Sequence, residues 1–228
     1  MRKVKLLNSQ NVDVLIVDSE GENHIKQCIP DIASFSVLPV RDVIPMIASF
    51  SFALRVLVHI IKLKRIQDAI IFSIVDVLKP KILITHIDTS NLMGRIHAEF
   101  PNKLTISVQN GWRSGLKYNE GTYSKYPVSL FFGFGEHDGR RMKSFGINNI
   151  EYVPSGSLVY GLYKKRFSGI IKNKYDLCYL SQFNTSEDAH MNMLMDYSDK
   201  IFLSLVKVSK ELDLSLAVSM RNEPSSPN

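Results

Sequence analysis

The chain has 228 residues, of which 45% are apolar and 22% charged, and a net charge of +6. That composition excludes a disordered or collagen-like chain, and the length lets a core form without disulfides or metals. The positive excess favours anionic partners such as nucleotide sugars, lipid phosphates or membrane surfaces. No zinc finger or aromatic-rich RNA motif accompanies it, so nucleic acid is not an expected partner.

In chain order, 12–17 (VDVLIV) is a continuous β-branched run, the pattern of a strand buried on both faces, and Asp18-Ser19-Glu20-Gly21 follows as a turn. Residues 35–40 read as a shorter strand. Two helical stretches are predicted over 44–64 and 67–78, ended by Lys79-Pro80. Within the first, 43–61 is almost long enough to cross a bilayer, but Pro45, Arg55 and His59 interrupt it; a buried or membrane-facing helix is expected instead of a span. A strand at 81–85 (KILIT), a helix capped by Thr89 or Ser90 and running through Ala98, and a strand at 104–108 (LTISV) come next. A polar loop over 112–127 leads to a strand at 128–134, a short helix stopped by Gly146, and a strand at 150–153. This alternation predicts right-handed crossovers and an open parallel sheet, a Rossmann-like α/β fold.

A basic linker is expected over 163–174, then a strand at 175–180, a helix at 197–212 and a strand at 214–220. The domain reading is therefore 1–162 for the first Rossmann-like domain, 175–221 for the start of a second and incomplete α/β unit, and 222–228 for a polar tail. Two strands and a helix are little for a stable domain, so the second unit is expected either to dock on the first sheet or to belong to a longer protein. No internal repeat is apparent. Cys28 and Cys178 lie far apart without CxxC spacing and read as reduced thiols. The basic N-terminus lacks a long apolar run with a cleavage site, so a cytoplasmic location is expected, with peripheral contact at the inner face of the plasma membrane through 43–61 or the basic linker.

In open parallel sheets, ligands bind outside the carboxyl ends of the strands, near a topological switch point. That rule selects Ser19 and Glu20; His86 and Asp88; Gln109, Asn110, Gly111, Trp112 and Arg113; Glu136 and His137; and Ser155, Gly156 and Ser157. Amides read hydroxyls, an indole stacks on a sugar face and a guanidinium clamps a phosphate, so 109–113 suits a polyhydroxylated or phosphorylated ligand; a plain Asn-Gly turn is the structural alternative. Glu136 is a candidate general base toward an acceptor hydroxyl, with His137 as the alternative, against a glutamate that only complements a helix dipole. His86 and Asp88 form a candidate acid/base pair, against a structural histidine. Ser155, Gly156 and Ser157 precede a helix and offer a generic anion site. No GxSxG, Walker A, HExxH or EF-hand motif is present, and no protein-held metal or bound cofactor is expected.

The ordered blocks ILITHID, TISVQNGWR, LFFGFGEHDGRRMKSFGI, YVPSGSLVYGLY and KYDLCYLSQF resemble the bacterial surface carbohydrate biosynthesis proteins, glycosyltransferases related to the GT-B superfamily. The resemblance covers roughly 12–183 and implies two Rossmann-like halves facing a cleft. The N-terminal half would receive the acceptor and the other most of a nucleotide-sugar donor, used as co-substrate. Gln109, Asn110, Gly111, Arg113, Glu136 and 155–157 would line the cleft, with Glu136 or His86 as base. The implied activity is sugar transfer to a saccharide or lipid-linked acceptor in lipopolysaccharide, O-antigen or capsule assembly. Because the second half is short, two alternatives accompany it: a non-catalytic binding fragment whose partner chain supplies the donor half, and, ranked lower, a nucleotide-sugar epimerase.

Overall fold

The computed structural model describes residues 3–41, 43–63, 65–89, 91–111, 127–167, 174–180 and 189–219. The chain divides into two compact units, Met1–Arg166 and Phe167–Asn228.

The first unit is built on six parallel strands: β2 (Val14–Val17), β3 (Phe35–Leu38), β5 (Ile82–Thr85), β6 (Leu104–Val108), β7 (Leu130–Gly133) and β8 (Glu151–Pro154). Their spatial order is β3-β2-β5-β6-β7-β8, and every pairing is parallel. This is the Rossmann-like open sheet that the alternation predicts. Within this sheet the chain starts at β2, steps outward to β3, then returns past β2 to β5 and continues one way. The strand order therefore reverses between β2 and β5, which is the switch point. Register sets Ile16 beside Ile84 and Thr85 beside Ser107, so the exits of β2, β5 and β6 lie level with one another.

Four helices pack around the sheet: α2 (Phe50–Leu63), α3 (Ile66–Leu78), α4 (Asn91–Glu99) and α5 (Glu136–Ser144); α1 (Glu22–Lys26) is a single turn between β2 and β3. The core joins Leu15, Leu83 and Phe131 of the strands to Phe72, Ile74 and Leu78 of α3, Met93 and Ile96 of α4 and Met142 of α5. Burying side chains of this size stabilises the unit by roughly 1.5–3 kcal/mol each, before the cost of ordering the chain. Buried Asp68 of α3 is held by Arg95 of α4 at 3.0 Å, which ties the two helices on one face.

The expected helix over 44–64 does not form as one element. Residues Val43–Met46 are a strand, β4, paired in parallel with an unpredicted first strand, β1 (Lys3–Leu6). Proline fits a two-stranded ladder far better than a helix interior, and Pro45 sits there. Helix α2 begins only after Ser49, whose hydroxyl accepts the Phe52 N–H at 3.2 Å. Gly146, at φ +79°, ends α5 as predicted, with Ile147 N–H returning to the Met142 carbonyl.

The expected basic linker is also partly helical. Helix α6 (Leu158–Phe167) takes up its first residues, and Ser157 caps it by accepting the Tyr160 N–H at 3.3 Å. The second unit contains β9 (Leu177–Leu180), α7 (Ala189–Glu211) and β10 (Leu216–Ser219), with β9 and β10 parallel.

The two units do share a repeat. At the start of β2, Ser34 donates its N–H and its hydroxyl to Asp13 Oδ2 at 3.1 and 2.8 Å. At the start of β9, Ser215 donates the same two groups to Asp176 Oδ2 at 2.8 and 2.6 Å. In both, the aspartate N–H reaches back to the serine hydroxyl and carbonyl. Each unit thus contains a β–α–β pair clasped by the same Asp–Ser exchange.

Candidate functional site

The switch point gathers a dense set of polar groups. β2 empties into Asp18, whose side chain is buried and whose backbone is left-handed at φ +78°. A non-glycine residue in that region carries on the order of 1–3 kcal/mol of strain. Two contacts hold it: Asp18 Oδ1 accepts the Glu20 N–H at 3.1 Å, and Arg41 Nε donates to Oδ2 at 2.8 Å. Arg41, just past β3, also donates to Glu20 Oε2 at 2.5 Å. One half-exposed guanidinium therefore gathers two carboxylates across adjacent strand exits.

β5 empties into His86 and Asp88, both buried. Thr85 shapes the exit, its hydroxyl accepting the Ile87 N–H at 3.1 Å. Opposite His86, Gly21 stands at φ +77°, and the rings of His86 and His24 lie 5.9 Å apart. Burial lowers the pKa of His86, and neighbouring His24 lowers it further, while Asp88 and Glu20 pull the other way; the net position is below the usual imidazole value. His86 is then mostly neutral at physiological pH, the protonation state a general base requires. Nδ1 of His24 is buried without a hydrogen-bond partner, an exception that calls for a reason in a native fold.

Asp88 reaches the next strand exit through a long contact of 3.4 Å from the Asn110 N–H. Asn110 and Gly111 are half-buried beside it. The space enclosed among Val17, Asp18, Val40, Thr85, Ile87, Leu92 and Met93 is about 10 Å³, so a ligand would lie over these exits and not beneath them.

Other expected site residues do not join this cluster. Gln109 is 2% exposed; its Oε1 accepts the Phe134 N–H at 3.0 Å, and its Nε2 donates to the Gly111 carbonyl at 3.0 Å and to Asp138 at 3.4 Å. Both ends of the amide are engaged inside the fold, where it straps the β6 exit to β7 and α5. Glu136 is exposed and paired with Arg140 at 3.2 Å one turn along α5, and His137 is exposed as well. The N–H groups of Ser155 and Gly156 both donate to the Gly133 carbonyl, and Ser157 caps α6, so the amides of 155 and 156 form no open anion site. β8 is also four strand spacings from β2, about 19 Å, too far for one small ligand to bridge. Ser19 is exposed in the β2 exit beside Glu20. Trp112 and Arg113 lie outside the described residues.

The glycines near β7 serve packing. A Cβ on Gly133 or Gly139 would collide with Tyr152, whose hydroxyl donates to the Gly135 carbonyl at 2.8 Å and whose ring stacks on Phe131.

Sequence reasoning missed Arg41, His24 and Asp138. Applying the strand-exit rule to β3 would have found Arg41, whereas His24 follows β2 by a full turn and carries no spacing signal. Among the described residues, no group of three or more His, Cys, Asp or Glu side chains is placed to hold a metal ion. No helix there is long and apolar enough to cross a membrane. A groove of about 400 Å³ lies elsewhere, along α2.

No family model matches the chain, and comparison with curated proteins and with solved structures finds no significant match.

Proposed function

We propose that the chain is part of a glycosyltransferase of surface polysaccharide synthesis, and that the switch-point crevice of its first unit binds the acceptor. A hydroxyl of a saccharide or lipid-linked acceptor attacks the anomeric carbon of a nucleotide-activated sugar; the C–O bond forms as the bond to the nucleotide phosphate breaks. His86 takes the hydroxyl proton, and Asp88 and Glu20 stabilise the imidazolium that results. The nucleotide leaves with the electron pair of the broken bond.

The observation that carries this reading is His86: buried, depressed in pKa, and flanked by two carboxylates at the strand-order reversal. It favours His86 over Glu136 as base, because Glu136 is exposed and paired with Arg140. The repeated Asp–Ser clasp supports two related α/β units, since each contains a parallel strand pair held in the same way.

A second reading keeps the crevice as a carbohydrate- or nucleotide-binding site without turnover, the donor half coming from a partner chain.

Calorimetric titration with UDP-, GDP- and CMP-sugars, followed by an assay of nucleotide release with and without saccharide acceptors, separates the readings. The transferase reading expects micromolar donor binding and acceptor-dependent nucleotide release that falls by about 10²–10⁴-fold in His86→Gln. Release unchanged in that variant would overturn the role of His86. Saccharide binding without donor binding would favour the second reading.

A further inference from the structure

Helix α2 is apolar on two opposite sides. Phe52, Val56, His59 and Ile60 turn inward, and Phe52 and His59 are almost fully buried. On the other side Phe50, Leu54, Leu57, Val58 and Ile61 form one stripe, with Phe50 86%, Leu57 55% and Ile61 73% exposed. These positions recur at i, i+4, i+7, i+8 and i+11, which a 3.6-residue period places on one face. Ile66, at the start of α3, is also exposed. An apolar face this continuous is uncommon on the surface of a monomer and marks a contact surface.

The charge beside the stripe identifies the contact. Helix α2 contains no Asp or Glu; Arg55 and Lys62 lie along its flank, and Arg65 stands just before α3. Arg55 and Lys62 border a groove of about 400 Å³ whose wall is Leu54 and Val58. Among the described residues, the acidic groups paired with α2 are Asp76, 3.4 Å from Arg55 and 2.9 Å from His59, and Glu99, 3.8 Å from His59; Glu99 partners the inward side, and Asp76 joins that side to Arg55 at the edge of the groove. Arg65 is largely exposed, 4.0 Å from buried Asp68. Apolar side chains with a cationic border are what an interfacial helix presents to lipid. The stripe enters the acyl boundary while the cations meet phosphate headgroups.

We infer that α2 docks the first unit in the plane of an anionic lipid bilayer, its Phe50–Leu54–Leu57–Ile61 stripe in the acyl boundary and Arg55, Lys62 and Arg65 at the phosphates. The helix lies on the membrane without crossing it. This surface is independent of the switch-point crevice and holds whichever ligand the crevice takes.

Co-sedimentation of the full chain with vesicles of phosphatidylcholine alone, or with a third of the lipid replaced by phosphatidylglycerol, tests it. Binding to the anionic vesicles is expected to exceed binding to the neutral ones by about tenfold and to weaken as salt is raised. Leu54→Glu with Ile61→Glu should abolish it, and Lys62→Glu with Arg65→Glu should remove the preference for phosphatidylglycerol. All four side chains are solvent-facing, and circular dichroism and thermal melts confirm that the variants fold. If a variant melts early, the wild-type preference between the two vesicles decides the matter. Wild-type chain left in the supernatant with both vesicles, or undiminished binding by the folded Leu54→Glu/Ile61→Glu variant, would overturn the inference. So would a wild-type dimer in gel filtration that the same variant converts to monomer, because the stripe would then be covered by a second copy.

Discussion

Gly21 lies against His86 so closely that a Cβ built on it would fall 2.5 Å from Nδ1 of the imidazole and 2.6 Å from its Cβ. The contact is with the base of the histidine side chain as well as its ring, so His86 cannot escape by rotation alone. Gly21 also stands at φ +77°, a conformation that L side chains adopt only under strain. Gly21→Ala is therefore expected to lower the unfolding free energy by about 1–3 kcal/mol and to displace His86. Urea denaturation measures the first effect and the His86 imidazole NMR signal the second.

The titration of His86 supplies a prediction with a definite sign. Its folded pKa is below the ordinary 6.5, through burial first and His24 second. The unfolded chain therefore binds this proton more readily. Stability from His86 is full above pH 6.5 and is lost as pH falls through the folded value. An NMR titration should place the His86 midpoint below 6.5. Glu20→Gln or Asp88→Asn should move it lower still, because each removes a charge that favours the imidazolium, and His24→Ala should raise it.

Asp13 governs the opposite end of the sheet. Hydrogen bonds from Lys81 and Ser34 hold its carboxyl at about 2, and Asp176 is shifted the same way by Ser215. A depressed folded pKa means stability that is full above the unfolded value, near 4, and is lost as pH falls toward 2. In denaturation series from pH 6 to 2, Asp13→Asn should be less stable than wild type at the upper end. The two should converge at the lower end.

Gln109 is expected to matter for folding. Gln109→Leu leaves the Phe134 N–H without its acceptor and Asp138 without the amide, which should cost about 1–3 kcal/mol by urea denaturation. Ligand affinity should change little once the lower stability is taken into account.

The elements that could be read from the sequence are those whose local pattern and tertiary role agree. VDVLIV and LTISV are apolar enough to demand burial, and they form β2 and β6 of the central sheet. The β4–α2 boundary was hidden because residues 43–61 are apolar on both sides of it, one side of α2 facing the core and the other facing out. β1 escaped because its alternating lysines give a short two-stranded ladder no apolar signature. The strand-exit rule found the switch-point residues, but a linear sequence does not say which way an exit side chain turns. Gln109 turns inward to an amide and a carboxylate, whereas His86 turns toward His24 and Gly21. The repeated clasp was invisible because it rests on two residues per unit, 21 apart in one and 39 in the other.

The most direct test of the account is histidine-selective NMR of the full chain during titration with nucleotide sugars and with candidate saccharide acceptors. The account predicts that a binding ligand shifts the signals of His86 and His24 together, while His97, bound to Thr105, and His59, bound to Asp76, stay in place. Saturable binding that moves only the exposed His137, or a full panel that leaves His86 unmoved, would contradict the assignment of the switch-point crevice as the site.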